Sequence, residues 1–281
     1  MPDVKRSGQP TLHFELDDYT DPWKCAPYLI LQHGFGRSSR FWYGWVPYLS
    51  RFYKVIRPDL RGLGQSSHDF NLDKGISLDA YLDDLVAILD SLGAERVHYC
   101  GESLGGLIGI PFAARHPDRI RTLTLVSTPV FNNERAKKTL MAGFPTWQEA
   151  LRTLGSRGWA KAMNSSMRFP PGTDPGLLEW YADEMGKNKV EVLIAMSLLA
   201  SPIDVTGFLK DVKAPVLGLY PNAGPITSGE QEKLLRDNIP SIKLVHLPTT
   251  FHTLQNIAPA TCATEVLYFA SQFDGVPTRE L

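Results

Sequence analysis

No apolar run in the 281-residue sequence approaches the roughly 20 residues of a membrane span. The first residues, MPDVKRSGQP, lack the apolar stretch of a secretory signal. Charge of one sign is also missing. Lys plus Arg is 29 and Asp plus Glu is 30, so there is no basic field for nucleic acid and no acidic tail. Cysteine is scarce: Cys25, Cys100 and Cys262 are far apart and odd in number. That argues against a disulfide framework and against zinc ligation, and it suits a reducing, cytoplasmic location. Internal repeats and low-complexity linkers are absent as well. These absences leave a small molecule as the expected partner, with no nucleic acid and no membrane; a homo-oligomer is compatible with them.

What is present is ordinary globular material, with 43% hydrophobic and 21% charged residues. The length suits one large α/β domain, or a core with an inserted subdomain. Short apolar runs alternate with helical patterns. Tyr28 to Leu31 ends at His33-Gly34, and Val55-Ile56 precedes Pro58-Asp59. Apolar residues at 78, 82, 85, 86, 89 and 92 predict a helix, with Ser77 as N-cap and Gly93 as its stop. Val97 to Cys100 reads as a strand, Leu107 to Ala114 as a helix, and Leu123 to Val126 as a further strand. Such alternation predicts a mostly parallel sheet with helices on both faces.

The rhythm breaks between about 130 and 205, where the pattern is helical and no strand is evident. It resumes at Pro215 to Tyr220 and runs through Ile242 to Leu247 and a last helix from Ala258 to Phe273. The expected organisation is a core of residues 1–130 and 205–281 with a helical cap at 131–204.

Gly101-Glu102-Ser103-Leu104-Gly105 has the form G-x-S-x-G and lies between a predicted strand and a predicted helix, the context that motif requires. A hydroxyl is a weak nucleophile until a base takes its proton. On a sharp turn the Ser103 oxygen is exposed, and glycines at 101 and 105 remove side chains that would collide there. The amino end of the following helix favours developing negative charge. A chance occurrence in a glycine-containing turn is the competing explanation, and the strand before it and the helix after it argue against that.

Three other segments agree with this reading. His33-Gly34-Phe35-Gly36 follows the first long strand, and the N–H groups of Phe35 and Leu104 are the expected oxyanion hole. His33 is expected to orient that loop. Asp59 to Gly64 reads as a structural turn held by Arg61. His252, in Phe251-His252-Thr253 after the last strand, is the expected base, since serine followed by histidine is the chain order such an architecture uses. Of the other histidines, His98 and His246 lie inside predicted strands and His116 at a helix end; these, with His13 and His68, are expected to be structural. Cys100 is expected to be buried packing.

HGFG, DLRGLG, GESLGG and the closing histidine together resemble the α/β-hydrolase superfamily, in its branch with a helical cap. The likeness runs from about residue 27 to 273. It implies an α/β-hydrolase fold, a serine mechanism and no metal or organic cofactor. Relatives of this kind include esterases, lactonases, epoxide hydrolases and carbon–carbon bond hydrolases, so the substrate stays open.

One part of the family pattern is missing. The resemblance places the acid that orients the histidine after the strand ending at Tyr220, where Gly224 stands, or after the preceding strand, where Ser127 stands. Neither is acidic. Ser127 and Asn222 are candidates for a neutral partner, Glu134 for an acid reaching in from the cap, and Glu230 for an acid under a shifted register. A Ser-His dyad is the further alternative. In a serine protease, replacing the triad Asp by Asn costs about 10⁴ in turnover, so slow turnover or a reactive substrate is expected.

The predicted cap holds five of the six methionines (141, 163, 167, 185, 196) and three of the six tryptophans (147, 159, 180). Such side chains pack a cap onto a core, and they also suit an apolar or aromatic substrate. Arg37 and Arg40 are expected at the surface unless one of them meets a substrate carboxylate. Arg37 and Trp159 are the expected substrate contacts.

The sequence therefore points to hydrolysis of an ester, lactone or amide bond in a small, largely apolar molecule. Carbon–carbon cleavage and cofactor-independent oxygenation of an aromatic-type substrate are the alternatives within the fold. A non-catalytic ligand receptor is the alternative outside enzymology.

Overall fold

The computed structural model describes residues 3–276 and 278. Its strands are β1 (Asp3–Val4), β2 (Leu12–Asp17), β3 (Tyr28–Gln32), β4 (Lys54–Pro58), β5 (Val97–Glu102), β6 (Ile120–Val126), β7 (Val216–Pro221) and β8 (Lys243–Leu247). They form one eight-stranded sheet in the order β1-β2-β4-β3-β5-β6-β7-β8. β1 and β2 join antiparallel, as do β2 and β4. The remaining neighbours pair parallel.

The pleat explains the layers, because successive side chains point to opposite faces. On β3, Ile30 joins the core cluster of Leu85, Ile88, Ile108 and Phe112. Its neighbours Leu29 and Leu31 join Trp45, Val266 and Phe269 on the other face. Central β5 is buried at all six positions, as a strand covered on both faces must be.

The helices are α1 (Val46–Leu49), α2 (Leu72–Gly75), α3 (Leu78–Ser91), α4 (Leu104–Arg115), α5 (Glu134–Leu140), α6 (Trp147–Met163), α7 (Pro175–Gly186), α8 (Val190–Ala200), α9 (Gly229–Asn238), α10 (Leu254–Ile257) and α11 (Pro259–Asp274). Helix α3 begins where expected: the Ala80 N–H donates to the Ser77 hydroxyl at 3.1 Å. Gly93, just past its end, takes φ +61°, a left-handed conformation that glycine adopts without a side-chain clash. Helix α4 starts three residues earlier than the pattern suggested, because Gly105 and Gly106 lower helix propensity but fit a crowded place. A Cβ on Gly105 would overlap the Gln32 carbonyl.

The sequence reading missed β2. Its polar positions mask the strand pattern, yet it pairs with β4 from Phe14 to Asp17.

Helices α5 to α8 all lie between β6 and β7. A bridge between Phe131 and Asp204 closes the base of this insertion. Helix α6 is broken at Gly155, with φ +66° and ψ 173°. A π-helical turn, Asn164–Arg168, follows α6. The insertion is fastened to the loops above the sheet. Asn188 donates to the Gly36 carbonyl at 2.7 Å, and the Thr253 hydroxyl donates to the Arg168 carbonyl at 2.6 Å.

Candidate functional site

Ser103 closes β5 and opens α4 with φ +53° and ψ −116°. That conformation is costly for a residue with a Cβ, by about 1–3 kcal/mol, and it persists only where its surroundings enforce it. They do so here. A Cβ on Gly101 would overlap the Gly105 carbonyl, so both glycines are needed for the strand to turn directly into the helix. The Ser103 N–H is tied to the Val126 carbonyl at 3.0 Å.

His252 lies in the loop after β8, with its Nε2 3.1 Å from Ser103 Oγ. Its own N–H donates to the Met167 carbonyl at 2.9 Å, so the inserted helices help to hold it. Burial pushes the imidazole well below its usual pKa, and the nearby charges of Arg37 and Arg168 push the same way. The ring is therefore neutral at neutral pH. For Nε2 to accept from the serine hydroxyl, its proton sits on Nδ1.

The Phe35 loop is held as its sequence suggested. The Leu60 N–H donates to His33 Nε2 at 3.1 Å, and His33 Nδ1 donates to the Gly34 carbonyl at 2.9 Å. Burial drives His33 down to about 4, which keeps it neutral for this double role. Neither the Phe35 N–H nor the Leu104 N–H finds a backbone acceptor among the described residues. The Asp59 carboxylate accepts from the Ser39 N–H at 2.6 Å and the Gln65 N–H at 2.9 Å. Arg61 forks onto Asp84 at 2.7 and 2.6 Å.

The third-partner candidates are not brought to the histidine. Glu134 is exposed on α5 and pairs with Lys137 at 2.8 Å. Asn222 is exposed, and its N–H is spent on the Leu247 and Thr249 carbonyls at 3.1 and 2.9 Å. Glu230 is exposed at the start of α9. Ser127 is fully buried at φ +47°, and its hydroxyl has no hydrogen-bond partner among the described residues.

Glu102 is the carboxylate beside the histidine. Its Oε1 lies 3.5 Å from His252 Nε2 and its Oε2 pairs with Arg37. Burial raises the Glu102 pKa, against the pull of Arg37 and Arg168. It escaped the sequence reading because the motif leaves that position unspecified. The available signal was a charged residue inside a strand otherwise written for burial on both faces.

The expectation that Arg37 lies at the surface is corrected. Only 3% exposed, it pairs with Glu102 and donates to the Tyr181 hydroxyl. Arg40 is at the surface and pairs with Glu184 at 3.1 Å. Trp159 is buried, donating from Nε1 to the Leu140 carbonyl at 2.9 Å.

Ser103 and His252 line a narrow cavity whose apolar lining includes Phe35, Leu104, Leu107, Trp147, Trp159 and Met167, with Arg37 and Arg168 as its charged members. It leaves about 40 Å³ for water-sized occupants. That holds a few waters at about 10–15 Å³ each on this measure. Arg168 is the other buried charge that the sequence reading missed. Burial pushes its pKa down to about 10, with Arg37 adding to the shift and Tyr181 and Glu102 opposing it.

Among the described residues there is no cluster of three or more potential metal ligands, and no helix long and apolar enough to cross a membrane.

The fold is that of the α/β hydrolases. A family model described as alpha/beta hydrolase fold matches residues 27–163. A carbamate hydrolase of Agrobacterium fabrum is 36% identical over 116 residues, 41% of this chain and 43% of that protein. A strigolactone esterase of Pisum sativum is 39% identical over 109 residues, 38% of this chain and 41% of the esterase. The alignments thus span less than half the length of these relatives. The enol-lactonase from Burkholderia xenovorans LB400 superposes with a TM-score of 0.82 at 23% identity, covering 96% of this chain and all of that one, a likeness of fold.

Proposed function

We propose that the protein is a serine hydrolase that cleaves an ester, lactone or amide bond of a small, largely apolar molecule. The observation that carries this reading is Ser103 held at φ +53° with its hydroxyl 3.1 Å from a neutral imidazole. A strained turn of this kind is a cost that packing alone does not require.

In the proposed reaction, His252 Nε2 takes the Ser103 proton as Oγ attacks the carbonyl carbon. The oxyanion accepts from the Phe35 and Leu104 N–H groups, and one such donor contributes about 3 kcal/mol of transition-state stabilisation. Imidazolium then protonates the leaving group, and neutral His252 activates water against the acyl-enzyme. Glu102 assists where the family's usual acid is absent. Its Oε1 lies 3.5 Å from the nitrogen that becomes charged. An anion there favours imidazolium, but it does not fix the tautomer as an acceptor on Nδ1 would. The helical insertion acts as the cap: it supplies Trp147 and Trp159 to the cavity wall and must open to admit a substrate.

The names of the relatives support a small-molecule substrate: a carbamate in one, a strigolactone in another. Labelling by a fluorophosphonate tests the reading. The expected outcome is one label per chain, lost in Ser103→Ala. No label across the pH range in which the protein stays folded would instead favour a ligand receptor built on this fold.

A further inference from the structure

Arg168 is a buried cation that forms no direct ion pair among the described residues, although the Glu102 carboxylate is near enough to act on it. It is 2% exposed and lines the same cavity as Ser103 and His252. Arg37, the other buried guanidinium there, is paired with Glu102. The Arg168 Nη1 reaches only neutral acceptors: the Ala160 carbonyl at 3.4 Å, Asn164 Oδ1 at 3.3 Å and, closely, Met185 Sδ at 3.2 Å. Its Nε is buried with no acceptor among the described residues. The guanidinium carbon lies over the Trp159 ring at 5.1 Å and the Tyr181 ring at 5.0 Å.

Burying an unpaired cation is costly, and ring stacking repays only part of that cost. With His252 neutral, two guanidinium groups face one carboxylate, leaving an excess of one positive charge beside the serine. We propose that this excess is a recognition device: Arg168 binds a carboxylate on the substrate, which is a small, otherwise apolar acyl compound carrying one negative charge. The inference rests on Ser103 as the reacting centre and narrows its substrate class.

The geometry favours a carboxylate. The buried Arg168 Nε has no acceptor among the described residues, and a planar carboxylate presents two acceptors to the edge of a guanidinium. The charge excess is single, which matches a monoanion. The cavity of about 40 Å³ is too small for such a ligand. Binding therefore moves the inserted helices outward, and Arg168 moves with them.

Binding rather than turnover tests this. Ser103→Ala protein is titrated calorimetrically with monomethyl esters of dicarboxylic acids from succinate to adipate, and with their neutral dimethyl counterparts. At least one monoester is expected to bind ten-fold or more tightly than its diester. Arg168→Met should abolish that preference. Arg168→Lys keeps the charge without the fork and should keep only part of it, and it serves as the second variant if the methionine protein does not fold. The proposal is overturned if no monoester binds, if mono- and diesters bind alike, or if the preference survives loss of the guanidinium. In each of those cases Arg168 merely clasps Trp159 and Tyr181. Fluorophosphonate labelling of Ser103 needs no carboxylate, so either reading can fail alone.

Discussion

His252 Nε2 lies 3.1 Å from Ser103 Oγ and 3.5 Å from Glu102 Oε1, yet burial pushes the histidine and the carboxylate in different directions. Burial lowers His252 well below the usual histidine value and raises Glu102 above the usual carboxylate value. A base must be neutral to act, so activity falls only as the pH drops through the depressed His252 pKa. The acid limb of kcat/KM for a neutral ester is accordingly expected below pH 6.5, the unperturbed histidine value. Glu102→Gln removes the anion beside Nε2 and should move that limb further down while lowering kcat. A limb at or above 6.5 in the wild type, or an unmoved limb in the variant, would sink the proposed pairing of Glu102 with His252. Ser103 and His252 could be named from sequence because their motif and chain order are local patterns. Glu102, Arg37 and Arg168 could not be assembled, because nothing local shows that residues 37, 102 and 168 share one buried cluster.

At the scale of elements, the decisive joint is the one between β5 and α4. The apolar pattern puts the helix start at Leu107; the structure begins it at Leu104. The difference matters, since the Leu104 N–H can serve an oxyanion only if the helix opens directly at Ser103. Gly105 enforces this through its approach to the Gln32 backbone. A Cβ there meets main chain of a central strand, which has nowhere to retreat. Gly105→Ala is expected to displace the Leu104 N–H and lower kcat by about 10²–10³, the usual cost of losing one oxyanion donor. Steady-state rates on a neutral ester, with circular dichroism to confirm folding, check this. Unchanged turnover would remove Leu104 from the proposed site.

Across the whole molecule, the inserted helices both cover the cavity and hold the histidine loop, through Met167 to His252 and Arg168 to Thr253. Stability and site are thus tied to the same buried neutral histidines. His33 has its pKa lowered from 6.5 to about 4 by burial. A depressed histidine means that the unfolded chain binds the proton more readily, so stability is complete above 6.5 and is lost as the pH falls towards 4. For His33 alone the loss is about 3 kcal/mol, and His252 adds in the same direction. Urea midpoints at pH 7 and pH 4.5 should show a pronounced fall. A midpoint independent of pH would mean that these rings are not buried as neutral groups.

The sequence by itself determined the alternation of strands and helices, the break at the helical insertion, and the serine turn with its closing histidine. Each is encoded by spacing along the chain: a period of two for strands, about 3.6 for helices, and glycines at fixed offsets from a serine. Only the tertiary structure decided what stands around the Ser103–His252 pair. It moved Arg37 from the expected surface to a buried ion pair, left Glu134 and Asn222 in solvent, and set Arg168 against the cavity with no direct ion pair among the described residues. Charge pairing is a matter of distance in space, and the chain separations here, 65 residues between Arg37 and Glu102 among them, leave no local trace.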